Sequence, residues 1–142
     1  MLADGRSLTT AEPALIRSLL QETVAGLMAI YLFGSYAQGS ARADSDVDLA
    51  ILARESVPPL RRFELAEELA IALGRDVDLV DLRAASAVLR SQIVAYGTPV
   101  YRSDDPDVEA FEDFVYADYA RLNEERAGIL EDIHARGSVY GR

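Results

Sequence analysis

Lysine, cysteine and tryptophan are absent from these 142 residues, and histidine occurs once, at His134. Without cysteine there is no disulfide framework and no thiolate metal site. Without lysine there is no Walker lysine. The 14 basic residues are all arginine, set against 24 carboxylates, for a formal charge of −10. A surface this acidic opposes general nucleic-acid binding, where phosphate contacts dominate affinity, and suits a basic partner or simple solubility. No apolar run approaches the roughly 20 residues a membrane helix needs. The opening stretch MLADGRSLTTAEPAL lacks the charged-then-apolar pattern of a signal peptide, so a cytoplasmic location is the expectation.

What is present is an ordinary globular composition, 50% hydrophobic and 27% charged. At this length a single domain over 1–142 with a sizeable core is expected. The pattern of apolar residues predicts an α/β order followed by a helical tail. A helix is expected over about Thr10–Ala25, capped by Thr9 or Thr10, then a strand over Met28–Phe33. Asp48–Ala53, apolar after its first residue, reads as a central strand. Pro58 and Pro59 open a helix to about Leu73. Further expectations are a strand over Arg75–Leu82, a helix over about Ala84–Tyr96, an edge strand over Thr98–Arg102 and a last helix from Asp104 to about Ala135, stopped by Gly137. Strand–helix–strand order across 46–82 favours a parallel pair.

The stretch Leu32–Leu52 carries the chemistry. Gly34-Ser35 is followed, after ten residues, by Asp46-Val47-Asp48. Side chains at i and i+2 of a strand share a face, so Asp46 and Asp48 project together beside a turn with free N–H groups. A second Asp-Val-Asp-Leu occupies residues 76–79, and parallel pairing brings the copies close. Carboxylates crowded this way repel without a cation, and a divalent metal bridged to a phosphate chain satisfies them. Ser45 caps the intervening loop or touches phosphate. Arg42 is within reach of phosphate, although an arginine in a polar loop is ordinarily just solvated. For the third carboxylate Asp76, Asp78 and Asp81 remain open; alternation turns Asp81 to the other face.

Competing motifs fail on chemistry. Gly34 to Gly39 has Walker A spacing, but Ser40-Ala41 stand where that loop needs Lys then Ser or Thr. Tyr36 breaks the dinucleotide fingerprint. Asp44, Asp46, Asp48 and Glu55 fall at calcium-loop positions, but Leu49 replaces the glycine that loop requires.

The pattern Gly34-Ser35, ten residues, Asp46-x-Asp48 resembles the signature of the DNA polymerase β-like nucleotidyltransferase superfamily. The limited chain length is similar to that of its minimal nucleotidyltransferases (MNT). Residues 76–102, DVDLVDLRAASAVLRSQIVAYGTPVYR, resemble MntA-type antitoxins. The resemblance implies a nucleotidyltransferase fold, a small mixed sheet flanked by helices, with a catalytic core over about 25–102 and a C-terminal helix over about 105–135. It implies that Gly34 and Ser35, with Ser45 near them, bind the nucleotide. It implies that Asp46, Asp48 and Asp78 are the catalytic and metal-binding carboxylates, with Asp78 the third of them, which would assist the attacking hydroxyl. It further implies ATP as AMP donor, Mg²⁺ as cofactor, and a tyrosine of a partner HEPN ribonuclease toxin as acceptor. Two other readings stand beside this: AMP transfer to a small molecule such as an antibiotic, and neutralisation of the toxin by contact alone. The apolar stripe Phe111, Phe114, Val115, Leu122, Ile129, Leu130 and Ile133 on the last helix is expected to pack on the core or to offer a partner-binding face. His134 reads as a helix-end residue and not as a ligand.

Overall fold

The computed structural model describes residues 8, 11–42 and 45–140, with side chains through residue 133. One mixed four-stranded sheet organises the chain, in the order β3-β2-β1-β4. Strand β1 (Leu27–Phe33) lies antiparallel to both β2 (Val47–Ala53) and β4 (Thr98–Arg102). Strand β3 (Val77–Asp81) runs parallel to β2, as the strand–helix–strand order requires. Strand β2 is central and almost wholly buried, which explains its unbroken apolar run.

Alternation along β1 and β2 feeds two cores. On one face Ile30, Leu32, Val47, Leu49 and Ile51 pack beneath α1 (Glu12–Thr23) and α3 (Pro59–Leu73). These helices contribute Ile16 with Leu20 and Leu65 with Leu69, two pairs at i,i+4 that are fully buried. Each such leucine or isoleucine stabilises the fold by about 1.5–3 kcal/mol relative to exposure. On the other face Tyr31, Ala50 and Leu52 meet Ile93 of α4 (Ala87–Tyr96) and Val108 of α5 (Pro106–Tyr140). Small Ala50 leaves room there for the large Tyr31 ring.

The buried Tyr31 hydroxyl donates to Glu112, which also accepts from Arg102. Burial and the Glu112 carboxylate together push the Tyr31 hydroxyl's pKa upward. The Arg102 hydrogen bond holds Glu112 below its ordinary carboxylate value. This group ties α5 to the sheet, and Arg54 adds ion pairs to Asp105 and Asp107 at the start of that helix.

Several boundaries differ from the sequence expectation. Thr9 and Thr10, proposed caps of α1, lie outside the described residues. Gly34-Ser35 opens a short helix, α2 (Gly34–Gln38), where a simple turn was expected. Helix α4 begins at Ala87 because the Ser86 side chain caps it, accepting from the Leu89 N–H at 3.1 Å. Helix α5 continues through Gly137 to Tyr140; a glycine inside a helix costs only about 1 kcal/mol against alanine. Of its expected apolar stripe, Val115 is buried, but Phe114, Ile129, Leu130 and Ile133 are exposed. Among the described residues no helix is long and apolar enough to cross a membrane.

Candidate active site

The two Asp-Val-Asp-Leu segments are in register. Val47 pairs with Val77, Asp48 with Asp78 and Leu49 with Leu79. The Val47 N–H donates to the Asp76 carbonyl at 2.9 Å, locking the start of the pairing. Because Val47 and Leu49 enter the core under α1 and α3, Asp46, Asp48 and Asp78 fall on the opposite face, the one flanked by α4 and α5. Asp46 and Asp78 are exposed and Asp48 is half-buried.

Their mutual repulsion is visible in Asp48. Burial, then Asp78, then Asp46 push its carboxyl up from 3.8 to about 6. A cation placed among these groups would reverse that effect. The donor set is all oxygen, which suits a hard ion such as Mg²⁺. Among the described residues no three His, Cys, Asp or Glu side chains close into a ready-made metal cage. An open, partly assembled set is what Mg²⁺ uses when substrate phosphates complete its shell, and it argues against an all-protein calcium site. Leu49, fully buried in β2, rules out the calcium loop as well; Asp44 lies outside the described residues.

Gly34 sits directly against this carboxylate. Its φ is +73°, a conformation L side chains rarely adopt, and a Cβ there would lie 2.1 Å from Asp48 Oδ2. Only glycine therefore lets β1 end beside the metal-type carboxylate. Residue Phe33 precedes α2 in extended conformation and gives it no side-chain cap. The first-turn N–H groups have no intrahelical acceptor. Ser35 follows on the same turn, while Tyr36 turns inward and is buried.

Other residues singled out in the sequence have different placements. Ser45 closes the loop: its Oγ accepts from the Arg42 N–H at 2.7 Å and its N–H donates to the Arg42 carbonyl at 3.0 Å. That is the capping arrangement, with the hydroxyl proton still free to donate. The Arg42 side chain is exposed. Asp81 is buried on the far face, where it accepts from the Val57 N–H at 2.9 Å and the Arg83 N–H at 3.0 Å. It holds the chain entering α3 and stands on the face away from Asp48. Asp76 precedes β3 and is exposed. The side chain of His134 lies outside the described residues.

Sequence reasoning passed over one neighbour of the site, the face of α4 carrying Leu89, Gln92 and Tyr96. Helical spacing was its only signal, and nothing in that spacing pointed toward Gly34.

Residues 15–106 match the family described as Polymerase beta, Nucleotidyltransferase. The chain is 43% identical over 120 residues to the protein adenylyltransferase MntA of Shewanella oneidensis, covering 84% of this chain and 86% of that protein.

The chain belongs to the polymerase beta nucleotidyltransferase family.

Solved structures agree with this membership. A chain of a toxin-antitoxin crystal structure with AMP-PNP superposes with a TM-score of 0.77 at 42% identity, covering 86% of this chain and 98% of the other. A chain from the tri-AMPylated Shewanella oneidensis HEPN toxin in complex with MNT antitoxin superposes with a TM-score of 0.74 at 38% identity, covering 89% and 99%. The mixed sheet, its flanking helices and the long C-terminal helix are thus the nucleotidyltransferase fold expected from the sequence.

Proposed function

We propose that this chain is the antitoxin of a HEPN/MNT toxin-antitoxin pair and acts as a Mg²⁺-dependent protein adenylyltransferase. It moves AMP from ATP to a tyrosine of its cognate HEPN toxin and so silences a ribonuclease. The observation that carries this reading is the in-register pairing of Asp48 with Asp78, beside Gly34, in a chain 43% identical to a protein adenylyltransferase. The chain is read as one catalytic domain with its C-terminal helix attached.

Each group then has a task. The first-turn N–H groups of α2 and the Ser35 hydroxyl hold the terminal phosphates, and Gly34 keeps that approach open. Asp46 and Asp48 would hold Mg²⁺, with Asp78 beside them, and the ion when bound would supply charge neutralisation along the phosphate chain. Ser45 fixes the loop that presents Asp46 and has a hydroxyl proton left for phosphate. Asp78, exposed and across from Asp48, accepts the tyrosine hydroxyl proton. The phenol oxygen bonds to the α-phosphorus, the bond from that phosphorus to the bridging oxygen breaks, and pyrophosphate leaves with the electron pair. Such transfer depends on positioning and electrostatics more than on covalent help.

Docking a protein substrate needs surface. The distal half of α5 offers exposed Ile129, Leu130 and Ile133 between carboxylates, a face matched to a toxin surface that is apolar with a basic rim.

Intact-mass spectrometry of the co-expressed toxin, incubated with this protein, ATP and Mg²⁺, tests the reading. Addition of AMP to a toxin tyrosine is expected. A toxin silenced without any mass gain would favour neutralisation by contact, and labelling of a small acceptor in place of the toxin would favour the antibiotic-type reaction.

A further inference from the structure

Arg75 stands in the short link between α3 and β3. Gly74 ends α3 at a φ of +69°, and the carbonyl of Asp76 accepts from the Val47 N–H at 2.9 Å. The backbone of Arg75 is thus held at the start of the β2–β3 pair. Its side chain turns away from solvent and is only 19% exposed. Nη2 pairs with Glu12 of α1, itself 15% exposed. Nη1 lies 3.4 Å from the Tyr36 hydroxyl, and the guanidinium carbon stands 5.3 Å from the centre of the Tyr36 ring. One side chain therefore joins α1, α2 and the lead into β3.

Stability alone does not account for this arrangement. Arg75 Nε is buried and has no hydrogen-bond partner among the described residues. An unmet buried donor costs free energy, and a largely buried ion pair is often no better for stability than apolar side chains of similar volume. What such a group fixes is geometry. The element it touches needs fixing: α2 is five residues long, has no side-chain cap and buries only Tyr36, and a helix that short is not stable alone. The seat of Tyr36 therefore sets where Gly34 and Ser35 lie against Asp48. A planar guanidinium on the ring face defines that seat in a way a flexible ammonium does not.

We propose that Arg75 is a positioning residue of the transferase: it holds α2, and with it the Gly34-Ser35 turn, at a fixed setting from the strand starts that carry Asp48 and Asp78. The proposal rests on the transferase reading above. Arg75 works from the α1 side of the sheet, where Tyr36 is buried with Ile16 and Leu20, and so acts through α2 and not on substrate.

Single-turnover AMP transfer to the toxin, calorimetry with Mg²⁺ and inorganic tripolyphosphate, and urea midpoints test this on the full chain. Arg75→Met keeps an unbranched side chain and removes the guanidinium. It should transfer AMP about 10–100-fold more slowly and bind tripolyphosphate about tenfold more weakly, since misplacement by about 1 Å can cost about 10²-fold. Its urea midpoint should be no lower than that of the wild type. Arg75→Lys keeps a cation for Glu12 without the planar face for Tyr36, and should also lose most of the transfer rate; it carries the test if Arg75→Met does not fold. Tyr36→Leu combined with Arg75→Met should cost no more than the larger single loss, because both release the same helix. Wild-type transfer rates in folded Arg75→Met or Arg75→Lys would overturn the positioning role and leave the transferase reading standing. Slower transfer with unchanged tripolyphosphate affinity would overturn it by placing the effect away from the turn. Slower transfer that tracks a lowered urea midpoint would overturn it by making Arg75 a stability residue, and additive losses in the double variant would separate Arg75 from Tyr36 and overturn it too. A wild type that transfers no AMP to the toxin would overturn the transferase reading itself.

Discussion

The two Asp-Val-Asp-Leu segments have the same four residues and adjacent, parallel positions, yet they live in different surroundings. The first lies at the head of the central strand β2, where Asp48 is half-buried and crowded by Asp78, Asp46 and the backbone of Gly34. The second opens the edge strand β3, where Asp76 and Asp78 are both exposed. Strand position, not sequence, separates them. A central strand supplies a low-dielectric carboxylate that calls for a cation; an edge strand supplies a carboxylate open to an incoming hydroxyl. In the function proposed above, one tetrapeptide would serve as a metal site in the first copy and as a proton acceptor in the second, according to where the sheet places it.

The largest effect expected from breaking this comparison is in the first copy. Asp46→Asn combined with Asp48→Asn removes both metal-type carboxylates and should lower AMP transfer by at least about 10³-fold, read as AMP incorporated per minute, with the circular dichroism spectrum unchanged. Gly34→Val forces a side chain into Asp48 at a positive φ. It should abolish measurable Mg²⁺·ATP binding by calorimetry; intact binding would place the phosphates elsewhere.

Stability changes are smaller and fall on different residues. Asp81→Ala leaves the Val57 and Arg83 N–H groups without their carboxylate acceptor, costing about 1–3 kcal/mol, seen as a lower urea midpoint. Asp48→Asn alone acts in the opposite sense. The Asp48 carboxyl sits at about 6 when folded against 3.8 as its ordinary value, so the unfolded chain binds fewer protons between those values. Stability therefore falls as pH rises from about 4 to 6, and the asparagine variant escapes this loss. In metal-free buffer at pH 7 it should be more stable than the wild type by about 1 kcal/mol after allowance for solvent screening. The difference should vanish near pH 3.5. A variant less stable than wild type at pH 7 would show that Asp48 is not under repulsion.

Much of this was legible in the sequence for physical reasons. An unbroken apolar run located β2 and alternation located β3, and the strand–helix–strand order through α3 favoured their parallel pairing. The facing of Asp81 followed from period two. Other features were not local. That Gly34 and Ser35 begin a helix depends on β1 ending beside Asp48, a contact between residues fourteen positions apart. The start of α4 turned on whether Ser86 or an earlier residue would cap it. The exposure of Ile129, Leu130 and Ile133 could not be read from their spacing, because an apolar stripe looks the same whether its cover belongs to the chain or to a partner. The cleft beside Gly34 is made by α2 and α4, whose nearest ends are 49 positions apart in sequence, so only packing discloses it.

The division of labour between the two copies is most directly tested by single-turnover AMP transfer to the toxin by Asp78→Asn and Asp76→Asn, measured side by side with Mg²⁺·ATP affinity. The account predicts that Asp78→Asn loses about 10²–10⁴-fold in transfer, the range of a positioned general base, while keeping most of its ATP affinity, and that Asp76→Asn transfers within about twofold of the wild type. Equal rates for the two variants, or a larger loss in Asp76→Asn, would contradict it.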